Sequence, residues 1–187
     1  MKILCLSGSK NPEGRTARAI EAIRKGAEKA GAETECIFLT DKKLEQCRQC
    51  NADGWGTCRR EGYCVIKDDF ESLVEKIGGS DVVVFATPVY FRDLTESMKV
   101  FLDRLRRISA FRPEPAAKGV LAAGVSMAGG GGGGATQACL NLESTLQMCQ
   151  FDVVDMIPTR RQNFEAKLPM LEMTGEWLAT RPVSTAQ

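Results

Sequence analysis

Short apolar runs alternate with helical patterns along most of this chain. The strand-like runs cover about residues 3–6, 35–39, 82–86, 119–125 and 151–157, and turn-forming residues bound most of them. Between them, apolar positions recur every three to four residues over about 15–30, 68–77, 98–108 and 135–149, which predicts helices. Pro158 is expected to end the last strand, and the polar segment after it is expected to contain one short helix near 171–178.

This alternation predicts a parallel sheet with helices on both of its faces. The run Val82–Ala86 is apolar on both faces, as a central parallel strand should be. Five such strands fit an α/β, flavodoxin-like, doubly wound sheet, in which ligands bind at the carboxyl ends of the strands. A Cys-rich insert without sustained periodicity follows the second strand, over about 41–67. We therefore expect one domain over 1–158 and a C-terminal extension over 159–187.

Charge and histidine content exclude several classes of protein. The chain has 187 residues, 25 Lys and Arg against 24 Asp and Glu, a formal net charge of +1, and no histidine. The balanced charge gives no electrostatic support for a nucleic-acid partner. Without histidine, Ser-His-Asp and Cys-His catalysis are impossible, so the chemistry must rely on a cofactor, a carboxylate, a thiol or a backbone cradle. The apolar N-terminal run is too short for a signal peptide or membrane span, so we expect a cytoplasmic protein without a membrane partner.

The loop between the first strand and the first helix has the composition of a phosphate site. Hydroxyl groups and glycine at a helix N-terminus suit a bound anion, although a simple helix cap is the alternative. A G-x-G-x-x-G motif is absent, and Gly8 and Gly14 are too far apart for a Walker A loop. These mismatches disfavour a dinucleotide fingerprint and ATP or GTP hydrolysis, but a monophosphate such as that of FMN fits. The candidate residues are Ser9, Lys10, Gly14, Arg15 and Thr16.

Three motifs in order resemble those of a known family. They are Gly8-Ser9 with Gly14-x-Thr16, then Thr87-Pro88-Val89-Tyr90-Phe91, then Lys99-x-Phe101-x-Asp103-Arg104. In this order, on the predicted strand ends, they resemble the NADPH-dependent FMN reductase superfamily of flavodoxin-like proteins, over about 1–158.

The resemblance implies where FMN would bind. The phosphate would rest on the first loop, against Ser9, Arg15 and Thr16. The isoalloxazine ring would lie against the loop after the third strand, although the two aromatic residues of that loop could instead pack in the core. A run of six glycines over 129–134 would lie beside the flavin, with a linker as the alternative. The ring-side candidates are Pro88, Val89, Tyr90, Phe91, Gly129 and Gly130. Arg104, Arg106 and Arg107 are expected to form a solvated helix face.

Four clustered cysteines form a second candidate site. Cys47, Cys50, Cys58 and Cys64 have the spacing C-x2-C-x7-C-x5-C. With no histidine, a metal there needs an all-thiolate shell, which suits zinc or a [4Fe–4S] cluster. The layout resembles the iron–sulfur flavoprotein branch of the superfamily, whose run is C-x2-C-x2-C-x4-7-C; the first and last spacings agree and the middle one is longer. We favour a cluster over zinc, and free, redox-active or disulfide-bonded thiols remain open. The other four cysteines fall in strand or helix patterns and are expected to be buried.

The function that follows is an enzyme, an FMN-dependent NAD(P)H oxidoreductase. Electrons would pass from the nicotinamide through flavin to a quinone, another flavin or an iron–sulfur acceptor, so the partner is a small molecule or a redox protein. The alternatives are a non-enzymatic electron carrier and a thiol or metal redox sensor on the same scaffold. The resemblance also implies a homodimer or homotetramer that shares the flavin site between chains.

Overall fold

The computed structural model describes residues 1–181 and contains one sheet of five parallel strands in the order β2-β1-β3-β4-β5. The strands are β1 (Lys2–Ser7), β2 (Glu33–Phe38), β3 (Val82–Pro88), β4 (Leu121–Ala128) and β5 (Asp152–Arg160). The helices are α1 (Arg15–Lys29), α2 (Thr57–Arg60), α3 (Phe70–Gly78), α4 (Glu96–Ser109), α5 (Ala135–Met148) and α6 (Phe164–Thr180). This is the flavodoxin-like doubly wound sheet that the sequence predicts.

Helices cover both faces of the sheet. On one face, α1 and α6 pack on β1, β3 and β4 through residues such as Ile20, Ile23 and Leu171. On the other face, α3, α4 and α5 do so through residues such as Leu73, Phe101 and Leu142. The central strands β3 and β4 are buried along nearly their whole length, because side chains on both of their faces meet a helical layer.

The strand register brings three loops together at one edge of the sheet. Ser7 at the end of β1 pairs with Ala86 of β3, and Pro88 at the end of β3 pairs with Met127 of β4. The loops that leave β1, β3 and β4 therefore start side by side. Together with the last residue of β3 and the first turn of α1, they carry all the residues predicted for the flavin site.

The C-terminal part of the chain differs from the sequence-based expectation. Strand β5 continues through Pro158 to Arg160, so the prediction that Pro158 ends it was wrong. Because β5 is an edge strand, a residue without an N–H group is tolerated there. The short helix expected near 171–178 is the 17-residue helix α6. Residues 182–187 of the predicted extension lie outside the described residues.

Helix α6 packs closely on α1 because glycine occupies the contact on both helices. A Cβ atom on Gly175 would lie 1.9 Å from the carbonyl oxygen of Ile23, and one on Gly26 would lie 1.8 Å from that of Glu172. Phe164, Leu171 and Leu178 are buried in the same layer. The division of the chain at residue 158 stays a prediction, and this packing ties the described part of the extension to α1. Within residues 1–181, no helix combines the length and the apolar character needed to cross a membrane.

Candidate functional site

A cavity of about 530 Å3 lies at the carboxyl ends of β1, β3 and β4. It brings together nine of the eleven residues predicted to bind the cofactor: Ser9, Gly14, Arg15, Thr16, Pro88, Val89, Tyr90, Gly129 and Gly130. Lys10 and Phe91 do not line it. Asn11, Met127 and Gly131–Gly133 also line the cavity, and only Asn11 and Met127 lie outside the motifs and the glycine run that indicated the site.

Asn11 shapes the loop after β1. Its backbone N–H donates to Ser9 Oγ at 3.2 Å, and its Oδ1 accepts the N–H of Glu13 at 2.9 Å. Its carbonyl oxygen accepts the N–H of Gly14 at 3.2 Å. The sequence signal that could have found it is the pair Asn11-Pro12, since asparagine side chains bond to the backbone two residues on in turns.

The N-terminus of α1 at the end of this loop is uncapped. Gly14 is the capping residue, it has no side chain to accept from the helix, and the first turn contains no acidic residue. The first N–H groups of the helix and the positive end of its dipole therefore face the cavity without an internal anion. Such an arrangement suits a phosphate group.

The loop after β3 is a tight turn that is fixed by backbone hydrogen bonds, both to β4 and within the turn. Val89 donates its N–H to the carbonyl oxygen of Met127 at 3.0 Å, and Tyr90 and Asp93 exchange two backbone hydrogen bonds of 2.9 Å each. Phe91 and Arg92, between them, have φ values of +50° and +68°, in the left-handed region. This backbone turns the Phe91 ring fully into solvent, while Tyr90 is half exposed at the cavity.

The glycine run forms a wall of the same cavity. Gln162, just after β5, donates Nε2 to the carbonyl oxygen of Gly131 at 3.0 Å. Gly134, with φ +85°, precedes α5 and lies against Arg92 of the β3 loop. The run is thus held by the neighbouring loops rather than being a linker between domains.

A second cavity contains the four clustered cysteines. Cys47, Cys50, Cys58 and Cys64 all line it, Cys50 is exposed, and the other three are half-buried. All eight cysteines of the chain are free thiols. Within the part of the chain that the structure describes, no three Cys, Asp or Glu side chains are grouped so that they could ligate one metal ion. The predicted ligands therefore share a cavity without converging on one point.

Arg104 of α4 lies at this cavity, and the expectation that it belongs to a solvated helix face was wrong. Its side chain is 1 % exposed and forms an ion pair with Asp68, with Nη1 at 2.6 Å and Nη2 at 2.9 Å from the two carboxylate oxygens. Nη1 also donates to the carbonyl oxygen of Glu45 at 3.0 Å, and the guanidinium lies 4.2 Å from the centre of the Phe70 ring. Burial alone raises the pKa of Asp68, but the hydrogen bonds from Arg104 and from two backbone N–H groups outweigh it and hold that pKa below its ordinary value.

Arg107, one turn further along α4, packs against the insert and lines the same cavity, so the expectation of a solvated face was wrong for this residue too. Its guanidinium lies 4.1 Å from the centre of the Trp55 ring, and it donates a hydrogen bond to the carbonyl oxygen of Gly54. Trp55 also meets the ring of Phe111 edge to face at 5.5 Å. The cysteine insert is therefore packed on α4 and the loop after it.

The order β2-β1-β3-β4-β5 places the first cavity between the ends of β1 and β3, where the direction of winding reverses. Ligands of doubly wound sheets bind at this point. Fold and cavity together define a flavodoxin-like protein with a candidate ligand site at this point of the sheet.

Comparison with known proteins gives the family. Residues 1–160 match the family described as NADPH-dependent FMN reductase, and the chain belongs to this family. An iron-sulfur flavoprotein of Methanocaldococcus jannaschii is 34% identical over 131 residues, which are 70% of this chain and 65% of that protein. An iron-sulfur flavoprotein of Methanosarcina thermophila is 31% identical over 134 residues, or 72% of this chain and 66% of that protein. Both matches thus span less than two thirds of the relative's length.

A solved structure shows the same fold. The NAD(P)H:quinone oxidoreductase from Methanothermobacter marburgensis superposes with a TM-score of 0.75 over 97% of this chain and 98% of that one, at 19% sequence identity. At this level of identity the likeness establishes the fold alone.

Proposed function

We propose that this protein is an FMN-dependent NAD(P)H oxidoreductase that passes electrons to a quinone, a flavin or an iron–sulfur acceptor. The observation that carries the proposal is the single cavity in which the uncapped start of α1, the β3 loop and the glycine run meet. When bound in this cavity, FMN would supply two-electron chemistry, with the reduced nicotinamide as hydride donor and the acceptor as the destination of the electrons.

The residues of the cavity supply binding and orientation. The N–H groups at the start of α1, with Arg15 and Thr16, face the position proposed for the phosphate, and the positive end of the helix offsets its charge. Thr16 is 4 % exposed, so its hydroxyl lies within the wall rather than in bulk water. The Tyr90 ring and the backbone of Gly129 and Gly130 provide uncharged lining for an aromatic ring system.

We further propose that the four clustered cysteines hold a [4Fe–4S] cluster, in which each iron takes one thiolate, in preference to zinc, which needs all four thiolates around one ion. Their common cavity supports this, as do two buried arginine donors in its wall, the Nε atoms of Arg104 and Arg107, which have no hydrogen-bond partner among the described residues. An all-thiolate cluster is anionic and rich in sulfur acceptors, so cationic donors fit its surroundings. When bound, the cluster would supply one-electron transfer between the flavin and an acceptor.

The proposed assembly is a homodimer or homotetramer, with the acceptor as the only other partner. The molar mass of the purified protein, measured by light scattering at several concentrations, tests this proposal. A monomer at every concentration would contradict the oligomer and leave the flavin site unaffected.

A charge placed in the phosphate loop tests the flavin site. Ser9→Asp sets a carboxylate beside the proposed phosphate, where the two negative charges repel each other. We therefore expect FMN affinity to fall at least about a hundredfold, measured by the quenching of flavin fluorescence on binding. Ser144→Asp, on the exposed side of α5, is the matched control and should bind FMN normally. If the wild-type protein binds no FMN, the proposal is overturned; if Ser9→Asp binds as tightly as wild type, the loop assignment is wrong.

Turnover separates an enzyme from an electron carrier. The FMN-loaded wild-type protein should oxidise NADPH or NADH in the presence of a quinone. Flavin binding without nicotinamide oxidation, across a panel of acceptors, would instead favour a non-enzymatic carrier. Iron, sulfide and zinc assays on protein purified without oxygen test the cysteine site independently of both results.

A further inference from the structure

We propose that Arg104 is a positioning residue for the [4Fe–4S] cluster, which it serves by fixing Cys64 and donating an N–H group to its sulfur. This inference rests on the proposed occupation of the cysteine cavity. Arg104 is not a cluster ligand, and it belongs to α4, which packs on the sheet, rather than to the cysteine insert.

The first step is the rigidity of Arg104. Both terminal nitrogens are held by the carboxylate of Asp68, one of them also bonds the carbonyl oxygen of Glu45, and the Phe70 ring covers one face of the guanidinium. Glu45 precedes Cys47 by two residues, and Asp68 follows Cys64 by four. Arg104 thus ties both ends of the cysteine segment to α4 at one point.

The second step is the contact with sulfur. Nη2 of Arg104 lies 3.5 Å from Cys64 Sγ, within the hydrogen-bond range for a sulfur acceptor. Hydrogen bonds to the sulfur ligands of a cluster stabilise its more negatively charged, reduced form, and so raise its reduction potential. A cation at this position acts in the same direction.

The third step is the remaining donor. Arg104 Nε is buried and has no hydrogen-bond partner among the described residues, although the rest of the guanidinium is fully bonded. An unpaired buried donor is costly, and Arg104 lines the cavity where the cluster is proposed to lie. An anionic, sulfur-rich group in the cavity would offer Arg104 Nε the hydrogen-bond acceptor that the described residues do not provide.

The test compares three proteins purified and reconstituted with iron and sulfide without oxygen. Arg104→Lys keeps the charge but cannot form the two-pronged bond to Asp68 while also reaching Cys64. Arg106→Lys, a neighbour on the same helix that lies outside the cysteine cavity, is the matched control. Iron and sulfide content, the electron paramagnetic resonance spectrum of the reduced protein and its midpoint potential are measured, with FMN affinity as the check of folding.

We expect Arg104→Lys to bind FMN as wild type does, while its iron content falls at least twofold or its midpoint potential becomes more negative. Arg106→Lys should match wild type in every measurement. Equal iron content, spectrum and potential in all three proteins would overturn the inference. If wild type binds FMN but no iron after reconstitution, the cluster proposal and this inference both fail, and the flavin proposal stands.

A second measurement needs no substitution at Arg104. Protein labelled with 15N in the arginine guanidino groups should show a weak hyperfine coupling between that nitrogen and the reduced cluster. The coupling should survive Arg107→Lys, which removes the other arginine with an unpaired Nε in the cavity wall. Absence of the coupling, or its loss in Arg107→Lys, would show that Arg104 does not contact the cluster ligands.

Discussion

Gly134 and Arg92 are in direct backbone contact: a Cβ atom on Gly134 would lie 2.7 Å from Cα of Arg92. Gly134 ends the glycine run, and Arg92 belongs to the turn after β3, so this contact joins two walls of the proposed flavin cavity. The backbone at Gly134 also has φ +85°, where residues with a Cβ atom are strained. Both facts require glycine at this position.

We therefore expect Gly134→Ala to displace the β3 loop and to lower FMN affinity about tenfold or more. The free energy of unfolding should fall by about 1–3 kcal/mol, from the left-handed backbone and the overlap with Arg92 together. Gly119→Ala is the control for strain alone, because Gly119 has φ +79° but nothing within 4 Å of a Cβ atom. It should lose about 1 kcal/mol of stability and keep its FMN affinity. Equal FMN affinity in both variants would show that the contact does not shape the site.

The sequence predicts the sheet and most of the lining of the proposed flavin cavity because both depend on local patterns. Strand periodicity gives the β-α order, and the strand ends then gather Ser9, Tyr90 and Gly129 whatever the details of packing. Asn11 was missed because its contribution is a set of local hydrogen bonds between side chains and backbone, which only the turn-forming pair Asn11-Pro12 indicates. The side-chain direction of Phe91 also could not be predicted, since it depends on two consecutive residues with positive φ.

The environment of Arg104 could not be predicted from its own neighbourhood in the chain. Three arginines within four positions are typical of a solvated helix face. The burial of Arg104 is explained by partners far away in the chain, above all Asp68, 36 residues earlier. Helix α6 was underestimated for a related reason. Its contact with α1 uses Gly26 and Gly175, and glycine counts against a helix in any local scale. Long-range packing decides both cases.

The glycine contact between α1 and α6 predicts a large effect of a single methyl group. We expect Gly175→Ala to lower the free energy of unfolding by about 2–3 kcal/mol, because the new Cβ atom would overlap the carbonyl oxygen of Ile23 and push the helices apart. Gly78→Ala is the control, since a Cβ atom there meets Ala116 at an ordinary 3.6 Å and alanine favours helix. Urea unfolding measures both, and a Gly175→Ala protein as stable as wild type would contradict close packing of α6.

The buried pair of Asp68 and Arg104 predicts a pH-dependent stability. Asp68→Asn leaves the arginine charge unpaired, and we expect a loss of about 3–5 kcal/mol at pH 7. The pKa of Asp68 is lowered in the folded protein from an ordinary 3.8, so its contribution is complete above that value and disappears as the pH falls through the lower, folded pKa. The difference between the two proteins should therefore be constant from pH 7 to 5 and shrink below pH 4.

Urea unfolding of both proteins at pH 7, 5, 4 and 3 measures this difference. Asp152→Asn, which changes an exposed carboxylate at the start of β5, is the control and should stay within about 0.5 kcal/mol of wild type. A difference for Asp68→Asn that grows in acid would mean that the folded protein does not stabilise the ionised carboxylate.

The two aromatic residues of the β3 loop should differ in their effect on flavin binding. Tyr90 lines the cavity, so Tyr90→Ala should raise the FMN dissociation constant about twofold to tenfold by removing a ring contact. The Phe91 ring is fully exposed and its backbone has φ +50°, a conformation that glycine adopts freely. Phe91→Gly should therefore keep FMN affinity within about twofold and match or exceed wild type in thermal stability, because relief of strain offsets the freedom that glycine gains in the unfolded chain.

Fluorescence titration with FMN and thermal unfolding of the two variants show whether Tyr90 alone or both aromatic rings contact the flavin. If Phe91→Gly loses as much affinity as Tyr90→Ala, the Phe91 ring contacts the flavin as the sequence motif suggests, and the loop must rearrange when FMN binds.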